Sequence, residues 1–160
     1  IDESYPEGLS PEDTVRYIAK KKCDAAAALC APDDLIITAD TMVFLGNDRL
    51  GKPRDEEDAL RMLRELAGRA HTVCTGVSVR RGAQEERFAV STRVFFRPMT
   101  DDEIRAYIKT GEPMDKAGAY GVQSRGALFV ERIDGDFFNV MGLPVEQLGL
   151  VLARFGVKLL

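Results

Sequence analysis

The chain has 160 residues, 45% of them hydrophobic and 30% charged, with a formal net charge of -4. Such a length and balance make one globular domain with a real core and exclude a disordered or fibrous chain. The acidic balance argues against broad non-specific nucleic-acid binding, and no apolar run approaches the roughly 20 residues of a membrane helix. The three cysteines, Cys23, Cys30 and Cys74, are odd in number and lack CxxC spacing. They suit reduced thiols in a cytoplasmic protein better than a disulfide frame or a zinc site, and packing accounts for Cys23 and Cys30.

Ser10-Pro11-Glu12-Asp13 is an N-cap, a proline at the first helical position and acids in the first turn. The helix it opens carries Val15, Ile18, Ala19, Ala26, Leu29 and Cys30 at helical spacing, and Pro32 stops it. Residues 35–45 are a β-branched apolar run with the length of a buried strand, and Asp40 interrupts its middle. Asn47-Asp48 makes a hairpin turn. Residues 55–67 form a second amphipathic helix, with Leu60, Leu63 and Leu66 on one stripe and Gly68 as its cap. From His71 to Val79 the pattern alternates as in a half-buried strand, and residues 88–96 form its antiparallel partner beyond a turn at Gly82.

Thr100-Asp101-Asp102-Glu103 is a capping box for a short helix with Ile104, Tyr107 and Ile108, ended by Gly111. Residues 112–123 hold too many glycines and charges for a core element and make a loop. Residues 126–133 are expected to be a strand, Asp134-Gly135-Asp136 a hairpin turn, and Pro144 the start of a last helix through Val151, Leu152 and Phe155. Phe88, Phe95, Phe96, Phe137 and Phe138 are too scattered to form a stacking platform and are expected to fill the core. Strands alternating with helices, but including an antiparallel pair, predict an α/β fold with a mixed sheet flanked by helices.

An ionised carboxylate inside an apolar strand costs several kcal/mol unless it is paired, hydrogen-bonded or bound to a cation. Asp40 is therefore the first candidate for a metal ligand or general base; the plainer reading is an Asp that caps a neighbouring turn. Lys52 and Arg54, in Gly51-Lys52-Pro53-Arg54-Asp55, are cations suited to phosphate oxygens, though solvated basic turns are common. No GxxxxGK[ST] loop is present. In the glycine-rich loop Asp115 is a second potential metal ligand and Lys116 a second phosphate cation. Gln123 carries the paired donor and acceptor that read a base edge. Asp2 and Glu3 offer further carboxylates, or simply a solvated acidic turn. His71, the lone histidine, has no partnered Ser or Cys nucleophile, so a triad is not expected.

Taken in order, Ile1-Asp2-Glu3, Ala39-Asp40-Thr41, GKPRD at 51–55, GRAHTV at 68–73, DKAGAYGVQ at 115–123, GALFV at 126–130 and NVMGLP at 139–144 resemble the successive motifs of the Maf (septum-formation-inhibitor-like) family. The resemblance implies a nucleoside triphosphate pyrophosphatase with the fold of inosine triphosphate pyrophosphatases, a long curved mixed sheet with two lobes around a cleft. It implies a divalent cation, Mg²⁺ or Mn²⁺, as cofactor. It implies Asp40 as the proton acceptor or metal-bound catalytic acid, and Glu3, Lys52, Arg69 and Lys116 as phosphate- or metal-site residues. The metal ligands expected are Asp40, Glu3 and Asp115, and Thr41 and Gln123 select the base.

ADT with AYGxQ resembles the branch acting on dTTP and UTP; the 7-methyl-GTP branch is second, and a non-catalytic nucleotide-binding regulator of cell division is the rival from another class. The partner implied is the nucleotide, with neither nucleic acid nor membrane, and a homodimer is expected by analogy. The family's chains open with a strand and an S-x-S-P-R-R turn, so residues 1–160 are expected to be a single Maf-like domain lacking that strand and turn. Arg69 stands where many members have Lys, which keeps the charge but changes the hydrogen-bonding fork.

Overall fold

The computed structural model describes residues 1–160. Its framework is a five-stranded sheet in the order β2-β1-β3-β4-β5, formed by β1 (Ile36–Leu45), β2 (Asp48–Leu50), β3 (Ala70–Arg81), β4 (Gln84–Phe96) and β5 (Val130–Asp134). The sheet is flanked by helices, as the α/β reading expects, and every neighbouring pair in it runs antiparallel. The helices are α1 (Pro11–Ala27), α2 (Glu56–Leu66), α3 (Asp101–Ile108), α4 (Phe137–Met141) and α5 (Val145–Arg154).

Local chemistry sets most of these boundaries. Ser10 caps α1 by accepting from the Asp13 N–H, with Pro11 in the first turn. Asp55 caps α2, and Thr100 with Glu103 closes the full capping box of α3. Leu60, Leu63 and Leu66 are buried together with Ile104, Tyr107 and Ile108 in the largest core cluster. The β1–β2 hairpin turns at Gly46-Asn47, and β3 and β4 pair over twelve registered positions, from Ala70↔Phe95 to Arg81↔Gln84.

Several expectations give way to tertiary context. The first helix ends at Ala27, so Leu29 is 90% exposed and Cys30 is exposed too, while Cys23 is buried as expected. β3 does not alternate: every residue from Val73 to Val79 is buried, because α1 covers one face and the α2, α4 and α5 side covers the other. Residues 125–129 form a 3-10 turn, and the strand begins only at Val130. Gly135 does not turn a hairpin; Asp136 caps the short helix α4, accepting from the Phe138 and Asn139 N–H groups. Of the five phenylalanines assigned to the core, Phe96 alone is fully buried, and Phe137 and Phe138 are 42% and 51% exposed. The loop at 112–123 contributes Ala119, Tyr120 and Val122 to the main core, despite its glycines.

Gly76 decides where α1 lies. A Cβ at this position would sit 2.3 Å from the carbonyl carbon and oxygen of Val15. Only a glycine lets the helix backbone rest on β3, where Val15 and Ile18 pack against Met42, Phe44 and Cys74. Gly76 is the register partner of Asp40, so the same contact fixes what stands over that carboxylate.

Gly76→Ala should therefore lower the unfolding free energy by about 1–3 kcal/mol, the usual cost of overpacking. Gly51→Ala, whose Cβ meets nothing within 4 Å, should change it by less than about 0.5 kcal/mol. Urea midpoints at unchanged m-values measure both.

Candidate active site

Neighbours on a strand point to opposite faces, and β1 divides its chemistry accordingly. Thr38, Asp40, Met42 and Phe44 face α1: the Thr38 hydroxyl donates to the Ala19 carbonyl, and Asp40 Oδ1 lies 2.6 Å from Lys22 Nζ. Thr41 and Val43 face the other side and line a cavity of about 310 Å³. β2 pairs only with Val43–Leu45, so residues 36–42 of β1 have β3 on one side and an open edge on the other.

On the α1 face, Asp40 is only 9% exposed. Lys22 lies between it and Glu3, whose Oε1 is 3.1 Å from the ammonium. Burial alone would push the Lys22 ammonium down, but hydrogen bonds with Asp40 and Glu3 outweigh it and hold it above its ordinary value. Lys22 also holds Glu3 below the usual carboxylate range, with the charges of Arg49 and Lys52 adding to the effect. Asp40 Oδ2 is buried with no hydrogen-bond partner. Among Lys20-Lys21-Lys22 the motifs of the chain do not distinguish Lys22, but the helical period does. Lys22 continues the i, i+3, i+7 stripe of Val15 and Ile18, which places it on the buried face of α1.

The opposite cavity has an apolar floor of Val43, Val73, Val140 and the Tyr120 ring, with Lys52, Lys116, Thr41 and Gln123 among its polar lining. The Gly118 N–H donates to the Gly51 carbonyl at 3.1 Å and so joins the two lysine-bearing loops. Glu112 fastens the second loop, accepting from the Tyr107 hydroxyl and the Arg125 and Gly126 N–H groups. Behind the wall the lone histidine is buried, its Nε2 2.7 Å from the Tyr120 hydroxyl. Burial pushes the His71 imidazole down to about 4. A third polar chain stands behind Thr41, whose hydroxyl is 2.9 Å from that of Thr75. Asn139 Nδ2 behind it donates to the Val73 carbonyl and the Thr92 hydroxyl.

The sequence-derived residues thus divide into groups. Thr41, Lys52, Lys116 and Gln123 share the cavity. Asp40 and Glu3 meet at Lys22 on the other face of β1. Asp115 is drawn to Lys116 at 2.7 Å, and no group of three or more His, Cys, Asp or Glu side chains forms a metal cluster. The three-carboxylate set Asp40, Glu3 and Asp115 is therefore not assembled. Lys116 and then Lys52 hold the Asp115 carboxyl below its ordinary value, so Lys52 acts on both acidic groups. Arg69 is exposed in the α2–β3 turn and does not line the cavity, and the Arg54 side chain turns back onto Asp58.

For a divalent cation, the chain offers two hard oxygen donors, Glu3 and Asp40, with Asp40 Oδ2 unpartnered. That donor set fits Mg²⁺ or Mn²⁺ bound through one or two carboxylates together with phosphate oxygens, rather than in a cage made by protein alone.

The Maf-like protein family model matches residues 1–155. A dTTP/UTP pyrophosphatase of Bacillus velezensis is 48% identical over 157 residues, covering 98% of this chain and 82% of the relative. That of Geobacillus sp. is 48% identical over 156 residues, covering 98% and 83%. That of Pelotomaculum thermopropionicum is 46% identical over 162 residues, covering 100% and 84%.

Two measurements test this geometry. Lys22→Met should cost about 2 kcal/mol of stability by stranding the Asp40 carboxylate, and Lys22→Met with Asp40→Asn should recover part of that loss in a double-mutant cycle. For His71, the folded value near 4 lies below the ordinary 6.5, so the neutral imidazole contributes its stability in full above pH 6.5. That contribution, up to about 3 kcal/mol, should disappear as the pH falls toward 4. In an NMR titration the imidazole should remain neutral through pH 6.5 and take up its proton only near 4.

Proposed function

The chain belongs to the Maf-like protein family, and from that premise we propose that it is a nucleoside triphosphate pyrophosphatase acting on dTTP, UTP and modified pyrimidine nucleotides of the same build. The observation that supports this reading best is the cavity that sets two lysines, a threonine and a glutamine around an apolar floor. A pyrimidine ring is apolar on its faces and polar on its edge, so the Val43, Val73 and Val140 floor suits the ring, while Thr41 and Gln123 suit the edge.

Water attacks the α-phosphorus in line, forming one P–O bond as the bond to the bridging oxygen breaks. Pyrophosphate leaves, and the nucleoside monophosphate remains. Chemistry of this kind asks for positioning and charge compensation more than covalent catalysis. Lys52 and Lys116 compensate the charge building on the leaving pyrophosphate, and Arg69 adds to the positive field from further out. Asp40 accepts the proton of the attacking water through the unpartnered Oδ2, while Lys22 holds Oδ1 and fixes the carboxylate's orientation. A divalent cation held by Glu3 with the substrate's phosphates would offset triphosphate charge; Asp40 would share it only by giving up Lys22, and Asp115 only by leaving Lys116.

No helix is long and apolar enough to cross a membrane. The three free thiols suit the reducing cytoplasm, which we take as the enzyme's compartment.

With Mg²⁺ present, pyrophosphate release should be fastest from dTTP and UTP in a nucleotide panel, and Asp40→Asn should lower kcat by about 10²–10⁴-fold. Preference for 7-methyl-GTP would move the chain to the purine branch. Calorimetric binding without turnover would make it a regulatory nucleotide-binding module. Parental rates in Asp40→Asn would remove Asp40 from the chemistry.

A further inference from the structure

Thr41 reaches the cavity on one side and a closed polar chain on the other. Its hydroxyl is 2.9 Å from the Thr75 hydroxyl and 3.4 Å from the Gly142 carbonyl. Thr75 is fully buried and lies 3.2 Å from the Asn139 carbonyl. Each hydroxyl has one proton to donate, and both carbonyls can only accept.

Two proton arrangements keep both hydroxyl protons on protein acceptors and leave the 2.9 Å contact hydrogen-bonded. In one, Thr75 donates to the Asn139 carbonyl and Thr41 donates to Thr75. In the other, Thr75 donates to Thr41 and Thr41 donates to the Gly142 carbonyl. The two agree on the point that matters: the Thr41 proton is directed into the protein, and lone pairs alone face the cavity.

The backbone supports the arrangement. Asn139 is fully buried, and its side chain ties α4 to the sheet through the Val73 carbonyl and the Thr92 hydroxyl. Gly142, at φ +120, brings its carbonyl back toward Thr41 in a conformation that side-chain-bearing residues rarely adopt.

We infer that Thr75 is a specificity-positioning residue: by fixing the Thr41 hydroxyl as an acceptor toward the cavity, it selects bases that present a ring N–H donor. The inference rests on the nucleotide reading above and deepens it. Uracil and thymine carry that donor at N3, between two carbonyls. Cytosine has a bare lone pair at N3, which would meet the Thr41 lone pairs head on. A site built around a hydrogen bond rejects an analogue that cannot make it far more strongly than a purely apolar pocket does. Thr75 touches no substrate and acts only through Thr41.

The test is the ratio of kcat/KM for UTP over CTP, read as a binding ratio in calorimetry if there is no turnover. Thr75→Val keeps the shape and removes the inner partner, so the ratio should fall by about three- to tenfold, the worth of one hydrogen bond. Thr75→Ser keeps the hydroxyl and should restore it. A purely structural role for Thr75 would lower both rates alike and leave the ratio where it was; that result overturns the inference. Should Thr75→Val fail to fold, the parent chain decides. UTP methylated at N3 should be a far poorer substrate than dTTP, whose extra methyl sits elsewhere on the ring, and equal use of the two overturns the inference. Neither turnover nor binding of UTP and CTP by the parent would remove the pyrophosphatase reading itself, and this inference with it.

Discussion

An ionised carboxylate set into a sheet must find a cation, and Asp40 finds one in Lys22, brought across by α1. That meeting depends on how closely the helix approaches. Gly76, directly across the ladder from Asp40, has no side chain to hold the Val15 backbone away. Seven residues further along, about two turns, the same helix face delivers Lys22 over Asp40 and within reach of Glu3. Helix position, carboxylate orientation and the location of the acidic group are therefore one constraint.

The pleat of β1 turns this constraint into a two-sided site. Asp40 faces the helix, and Thr41, one residue on, faces the cavity with its lysines and Gln123. β1 has no partner strand along residues 36–42, so the two groups lie on opposite faces of an unpaired edge. A nucleotide suits such a divided site: the base needs an apolar slot with a few edge contacts, and the phosphates need cations and carboxylates.

The walls of the cavity are held by contacts that lie outside it. Glu112 holds the loop at 112–126 through three hydrogen bonds, and the Tyr107 hydroxyl, one of its donors, accepts from the Gly121 N–H. Behind Tyr120 stand His71 and Phe96, with ring centroids 5.3 and 4.7 Å away in edge-on arrangements. A neutral, buried imidazole serves here because a charged one would lose hydration with no anion nearby to replace it. Preorganisation of this kind lets Lys116 and Gln123 wait in place instead of being ordered by the ligand.

Local sequence determined the elements whose signals are local. The caps at Ser10, Asp55 and Thr100, the leucine stripe of α2 and the β3–β4 hairpin are backbone hydrogen-bonding and periodicity problems solved within a few residues. The anomaly of Asp40 and the order of the motifs were equally legible, since both are properties of the chain as written. Tertiary structure alone decided which groups share a surface. It buried both faces of β3, drew the glycine-rich loop into the core, exposed Phe137 and Phe138, and kept Asp115 with Lys116. It also set Lys22 against Asp40 and placed Thr75 behind Thr41. Those outcomes depend on which helix covers which face and on how near it comes, and a two-residue period along one strand carries no record of what lies across it.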